Sequence, residues 1–195
     1  MHFNDLSSPA ALLATRRSGK ARDMIAPGPD AAQLDAVLAA AMRVPDHGKL
    51  APWRLVVVDA DRRDAFAALL TRAYRAEKPT AGRLEIETME SFARQAPCLI
   101  ALLSTPVQPH KIPLWEQQLS AGAVAMQLLN AAHAHGFVGN WLTGWPANSA
   151  DILASLGGSG PEDRIVGFFF IGTPAHELEE RPRPDPASVI RHWRG

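Results

Sequence analysis

HKIPLWEQQLSAGAVAMQLLNAAHAHGFVGNWLTG, residues His110–Gly144, carries the longest helical pattern in the chain and the turn that closes it. From about Leu114 to His135 no proline interrupts the pattern, and Ser120–Ala134 is alanine-rich and apolar nearly all round. A helix without a polar face is packed on several sides, so this one is expected at the centre of the fold. A second copy of the same chain is one partner that would cover it. Gln127, Asn130 and His133 break the apolar run, and nothing approaches the roughly 20 residues of a membrane span. Trp115 and Trp141 bracket the helix, and Gly139 and Gly144 lie in the turn after it. Such aromatics belong by default to the core. A planar heteroaromatic cofactor would want the same surroundings: flat apolar walls, glycines that admit the backbone, and a few donors at its polar edge.

Working outward, the flanking segments alternate between strand and helix. CLIALLS (Cys98–Ser104), RLVVVDA (Arg54–Ala60), FVGNWLTGW (Phe137–Trp145) and RIVGFFFIGTP (Arg164–Pro174) read as strands, rich in β-branched and aromatic residues. Ser8 caps a helix that opens on Pro9 and runs into Arg16 and Arg17; Asp30 caps a second over Ala31–Arg43, which Pro45 stops. Further helices are predicted at Arg62–Tyr74, at Glu77–Gln95, whose polarity places it outside the core, and within Asn148–Gly158. The tail from Glu180 is proline-rich and therefore extended at first. With no internal repeat, residues 1–195 read as one layered domain of helices and strands, long enough to bury a core.

Twenty basic residues balance twenty acidic ones, which argues against a nucleic-acid surface but allows a small local anion site. Cys98 is the single cysteine, so no internal disulfide forms, and it reads as a buried structural thiol in a reducing compartment. The N-terminus has no export signal, and a cytoplasmic, soluble protein is expected. Neither a dinucleotide GxGxxG, a Walker-A loop, HExxH, CxxC nor a GxSxG elbow occurs. His133 and His135 are two apart on a helix and point to different faces, so they do not share a metal; no metal site is expected.

Two constellations remain. Thr15-Arg16-Arg17-Ser18 reads either as a solvated helix end, its cations complementing the dipole, or as a phosphate site with bidentate donors and a hydroxyl. Asp46-His47, in VPDHGKLAPW (Val44–Trp53), reads either as an ordinary turn or as a hydrolytic dyad needing a nucleophile such as Ser18 or Thr143, with no motif to supply one.

Taken together, TRRSGKARD (Thr15–Asp23), MRVPDHGKLAPWRLVVV (Met42–Val58), the His110–Gly144 stretch and FFFIGTP (Phe168–Pro174) resemble the nitroreductase family of FMN-dependent flavoproteins, and within it the short YdjA-like branch. The resemblance runs from about Leu12 to Pro186, in the family's order. It implies an α+β fold of three α/β/α layers, a mixed, largely antiparallel sheet flanked by helices, and an intertwined homodimer with FMN at the subunit interface. It maps FMN contacts onto Arg16, Arg17 and Ser18, with an arginine on the phosphate. It also maps Arg43 and His47, which approach the flavin held mainly by the other subunit, and the lining turn Trp141, Leu142 and Thr143. The branch has Trp-Arg-Ser where this chain has Trp-Leu-Thr, so an apolar group replaces a polar contact, and apolar acceptors are expected. Arg181-Pro182-Arg183 fits the family's phosphate-reaching arginines. The implied reaction is ping-pong: NAD(P)H gives a hydride to FMN N5, then a small-molecule acceptor such as a nitroaromatic or quinone takes the electrons, with no side chain acting as acid or base. The readings left beside it are a flavin- or nucleotide-binding homodimer without turnover and the Asp46-His47 hydrolase.

Overall fold

The computed structural model describes residues 3–195. In chain order the elements are α1 (Pro9–Thr15), β1 (Met24–Ile25), α2 (Ala31–Ala41), β2 (Trp53–Val57), α3 (Arg63–Glu77), α4 (Arg83–Arg94), β3 (Cys98–Ser104), α5 (Leu114–Ala134), β4 (Val138–Leu142), α6 (Ala150–Ser155), β5 (Arg164–Pro174) and α7 (Pro186–Val189). The caps read from sequence are in place: Ser8 Oγ accepts from the Ala11 N–H, and Asp30 and Gln33 form a reciprocal capping box.

β5 organises the five-stranded sheet. It pairs with β3 on one edge and with β4 on the other, since both cover Phe168–Ile171. β2 extends the sheet beyond β3, and the short β1, which the sequence reading missed, pairs with Thr173 and Pro174 at the end of β5. Every pairing among the described residues is antiparallel, so β3 and β4 run in the same direction, and α5 is the connection between them.

The run Phe168-Phe169-Phe170 shows how the sheet makes two cores. Successive side chains leave opposite faces. Phe168 and Phe170 enter a core with Phe66 and Leu70 of α3, Phe92 of α4 and Ile152 of α6, while Phe169 enters another with Val124 and Leu128 of α5 and Val37 of α2. All three phenylalanines are fully buried. The result is three layers, α3, α4 and α6 on one side and α2 and α5 on the other.

Two local expectations are corrected. The polar helix expected over Glu77–Gln95 outside the core begins only at Arg83, because α3 runs on to Glu77, and α4 turns Ile86, Met89, Phe92 and Ala93 inward. Phe92 meets Phe168 and Phe170 edge-on at 5.3 and 5.2 Å. An apolar stripe at helical spacing suffices to bury a face even when the other faces are charged. Helix α1 stops at Thr15 with Arg16 as its C-cap, so Arg17 and Ser18 lie beyond the helix end. Asn4 draws the chain away: its Oδ1 accepts from the Arg17 N–H and its Nδ2 donates to the Arg17 carbonyl.

Candidate functional site

Arg16–Gly19 runs beside α5 and β4, and two of its carbonyls face side chains of those elements. The Arg17 carbonyl lies 3.2 Å from His133 Nε2, and the Gly19 carbonyl accepts from Asn140 Nδ2. With its backbone fixed, the segment holds its side chains over one face. Arg16 Nη1 donates to Ser18 Oγ at 3.3 Å, and Arg17 Nε donates to the Glu179 carbonyl at 2.6 Å. The latter bond lays the C-terminal tail across the segment. Arg181 and Arg183 follow at once, Arg183 paired with Glu180 at 3.4 Å.

A cavity of about 290 Å³ results, lined by Arg16, Arg17, Ser18, Asn140, Trp141, Arg181 and Arg183. Four guanidiniums from two distant parts of the chain thus face one volume. Burial lowers the pKa of Arg16, and the positive charges of Arg183 and Arg17 lower it further. A cluster of like charges that is partly desolvated is stabilised by an anion, and guanidinium forks match a phosphate bidentately.

Trp141 forms the apolar wall. Its ring is 5.3 Å from that of Phe169, its Nε1–H donates to the Val166 carbonyl at 3.0 Å, and 39 % of the residue is exposed. The indole lies against Gly167, where a Cβ would sit 2.1 Å from Nε1. Arginines, a hydroxyl, a buried amide and an open indole edge fit a phosphorylated planar heteroaromatic such as FMN in the chemistry of their donors.

The other expected residues lie elsewhere. Leu142 is half-buried and packs into the core beneath α3 and α4, while Thr143 is exposed at the turn. Glu77 secures the loop after that turn, its carboxylate accepting from Trp145 Nε1 at 2.7 Å and from the Ser149 hydroxyl at 2.9 Å. Neither Arg43 nor His47 lines the cavity; both are exposed. His47 Nδ1 is 2.7 Å from Glu116 Oε2 on α5. Asp46, in contrast, accepts from the backbone N–H groups of Leu50 and Ala51. Asp46 is therefore a turn residue, and the partner of His47 is Glu116.

Cys98 is buried, its thiol pushed up to about 11 by burial against the opposing effect of Arg63, as fits a structural residue. Among the described residues no group of His, Cys, Asp or Glu is gathered to hold a metal, and no helix is long and apolar enough to cross a membrane.

Asn4, Glu116, His133 and Asn140 escape the sequence reading as site residues. Asn140 precedes Trp141 on β4, where alternation puts it on the face opposite the indole, and like the other three it meets its partner only through tertiary structure.

The family model described as "Nitroreductase family" matches residues 13–173. The chain is 32% identical over 183 residues to the "Putative NAD(P)H nitroreductase YdjA" of Escherichia coli (strain K12), covering 93% of this chain and 97% of that protein. It is 35% identical over 174 residues to a "Putative NAD(P)H nitroreductase" of Haemophilus influenzae, covering 88% and 91%. Among solved structures, a nitroreductase-like family protein from Bacillus cereus superposes with a TM-score of 0.77 at 18% identity, covering 100% of this chain and 99% of that one. The FMN- and NADPH-dependent nitroreductase NfnB from sphigopyxis sp. strain HMH gives 0.73 at 20%, covering 96% and 99%. Sequence and fold agree, and this chain belongs to the nitroreductase family.

Proposed function

We propose that the chain, as one domain, is an FMN-dependent oxidoreductase that passes electrons from NAD(P)H to an oxidised small molecule such as a nitroaromatic or quinone. The observation that carries this reading is the convergence of Arg16, Arg17, Arg181 and Arg183 with Ser18 and Trp141 on one cavity. In it the guanidiniums hold the phosphate, Ser18 binds the ribityl chain or ring edge, and Trp141 walls the ring. When bound, FMN supplies the redox chemistry, accepting a hydride from NAD(P)H and yielding electrons to the acceptor in a ping-pong sequence. The protein contributes position, and a cationic field that favours the added negative charge of the reduced state.

The reading includes a homodimer. Trp115, Leu119 and Met126 are exposed on α5 at spacings of four and seven, one stripe of the helix, and Gly122 between them has nothing within 4 Å of its Cβ position. A second copy covering this stripe would place Arg43 and the His47–Glu116 pair beside the flavin of its partner. FMN affinity and dimerisation would then be linked, and dilution would release flavin.

The test is the visible spectrum of the purified protein before and after anaerobic NAD(P)H. Flavin absorption that bleaches and returns with a nitroaromatic or quinone is the expected result. Bound flavin that does not bleach would favour a binding protein without turnover. A colourless protein that takes up no FMN would overturn the assignment.

A further inference from the structure

Asn140 lines the cavity with Arg16, Arg17, Ser18 and Trp141, and the cofactor contacts proposed above give it no part. It is a residue type that strands disfavour, placed in the middle of β4. One end of its amide has a use: Nδ2 donates to the Gly19 carbonyl and so ties β4 to the Arg16–Gly19 segment. The other end has none. Oδ1 is buried, and among the described residues no donor reaches it. The tie also fixes which end is which, since turning the amide over would set its oxygen against the Gly19 carbonyl oxygen.

Holding Gly19 needs only a donor, which a hydroxyl would supply, so the tie leaves the oxygen unexplained. A buried acceptor without a partner costs stability and calls for a donor from outside the protein. Thr71, Ser104, Thr105 and Asn130 also carry buried oxygens without a partner, but none of them lines this cavity. Around Asn140 the arginines offer donors only, and Ser18 Oγ already accepts from Arg16. The cavity therefore holds donors for an anion and, in Asn140 Oδ1, an acceptor for a donor of the same ligand.

Position says which donor. Asn140 stands between the two ends of the site: its Nδ2 holds Gly19, next to Ser18 of the arginine segment, and its neighbour on β4 is Trp141, the apolar wall. In FMN the phosphate and the ring are joined by the ribityl chain, whose hydroxyls are donors. We propose that Asn140 Oδ1 accepts a hydrogen bond from a ribityl hydroxyl, so that the site selects a polyol phosphate and not merely an anion on a flat ring. The inference rests on the FMN reading above and deepens it.

FMN and a phosphopentyl isoalloxazine, the same molecule with its ribityl hydroxyls replaced by hydrogen, are titrated into each apoprotein by flavin fluorescence. Both carry the phosphate, so changes at the arginines cancel in the comparison. Wild-type protein binds FMN more tightly than the deoxy analogue. In Asn140→Ala that preference falls by about tenfold, the equivalent of one hydrogen bond, and in Asn140→Asp, which keeps an oxygen there, it survives. An equal loss for both ligands in Asn140→Ala would show that the residue acts only through Gly19 and would overturn the proposal. So would a loss that spares FMN methylated at the pyrimidine N–H, because the donor would then be the ring.

Should the variants fail to fold, the wild type decides through the side-chain carbonyl carbon resonance of Asn140. It shifts on saturation with FMN more than with the deoxy analogue if a hydroxyl donates to it; equal shifts refute the contact. Wild-type protein that binds no flavin would refute the FMN reading, and the proposal with it. Wild-type protein that binds FMN and the deoxy analogue equally would leave that reading standing and refute the role of Asn140.

Discussion

Arg183, in the C-terminal tail, lines one cavity with Arg16, and its charge adds to burial in lowering the proton affinity of Arg16, as does that of the neighbouring Arg17. The tail therefore brings its charge to the head of the chain, over a cavity that both line. Removing either guanidinium relieves repulsion in the apoprotein but takes a charge-assisted hydrogen-bond donor from a bound phosphate. Such bonds contribute about 1.5–3 kcal/mol, so Arg16→Ala and Arg183→Ala are each expected to weaken FMN by roughly tenfold to a hundredfold. Riboflavin affinity, measured in parallel, should change little. The two losses should also fail to add, because the pair shares one anion.

The burial of α4 makes a prediction that the sequence reading would have reversed. Phe92 stands edge-on to two fully buried phenylalanines of β5. Phe92→Ala should cost about 3–5 kcal/mol, as large-to-small changes at packed aromatics do. The exposed Leu84 of the same helix, changed to Ala, should cost under about 0.5 kcal/mol. Urea unfolding of the two variants measures the contrast.

These cases show what was legible. The four longer strands of the sheet, the long helix and the caps of Ser8 and Asp30 could be read because periodicity and capping are local. Arg16, Arg17, Ser18, Trp141, Arg181 and Arg183 could be named through resemblance, and the cavity they share is visible only once the Arg17 side chain ties down the tail at Glu179. The partner of His47 was not legible, since Glu116 lies 69 residues away and nothing in VPDHGK points to it. Leu142 was read as an apolar group facing the acceptor. Its packing into the core follows from strand alternation, which sends it and Trp141 to opposite faces.

His47 and Glu116 are both largely exposed, so their contact should add little to stability. Glu116→Ala is expected to change the unfolding free energy by under about 1 kcal/mol, while altering the Nδ1 resonance of His47, which loses its carboxylate. An unchanged resonance would show that the 2.7 Å contact does not persist in solution.

Glu85 links α3 to α4. The Lys78 ammonium, the Gly82 N–H and the Tyr74 hydroxyl hold its carboxyl down at about 2, against an ordinary 4.5. A lowered folded-state pKa contributes stability above the unfolded value, and that contribution is lost as pH falls from about 4.5 towards 2. The unfolding midpoints of wild type and Glu85→Gln should accordingly lie furthest apart above pH 5 and converge as the solution is acidified. A constant separation down to pH 2 would contradict the pairing.

Trp141 and Gly167 supply the remaining prediction. On β5, Gly167 is the residue that lets the indole lie down on the sheet, since a Cβ there would sit 2.1 Å from Nε1 and 3.1 Å from the Leu142 carbonyl. A rigid aromatic ring cannot yield that much without leaving its bond to Val166. Gly167→Ala should therefore cost about 1–3 kcal/mol by overpacking and swing the Trp141 ring away from the cavity wall. Quenching of tryptophan fluorescence by added FMN should fall in parallel with FMN affinity. If Gly167→Ala binds FMN as the wild type does, the indole is not the wall against which the flavin ring rests.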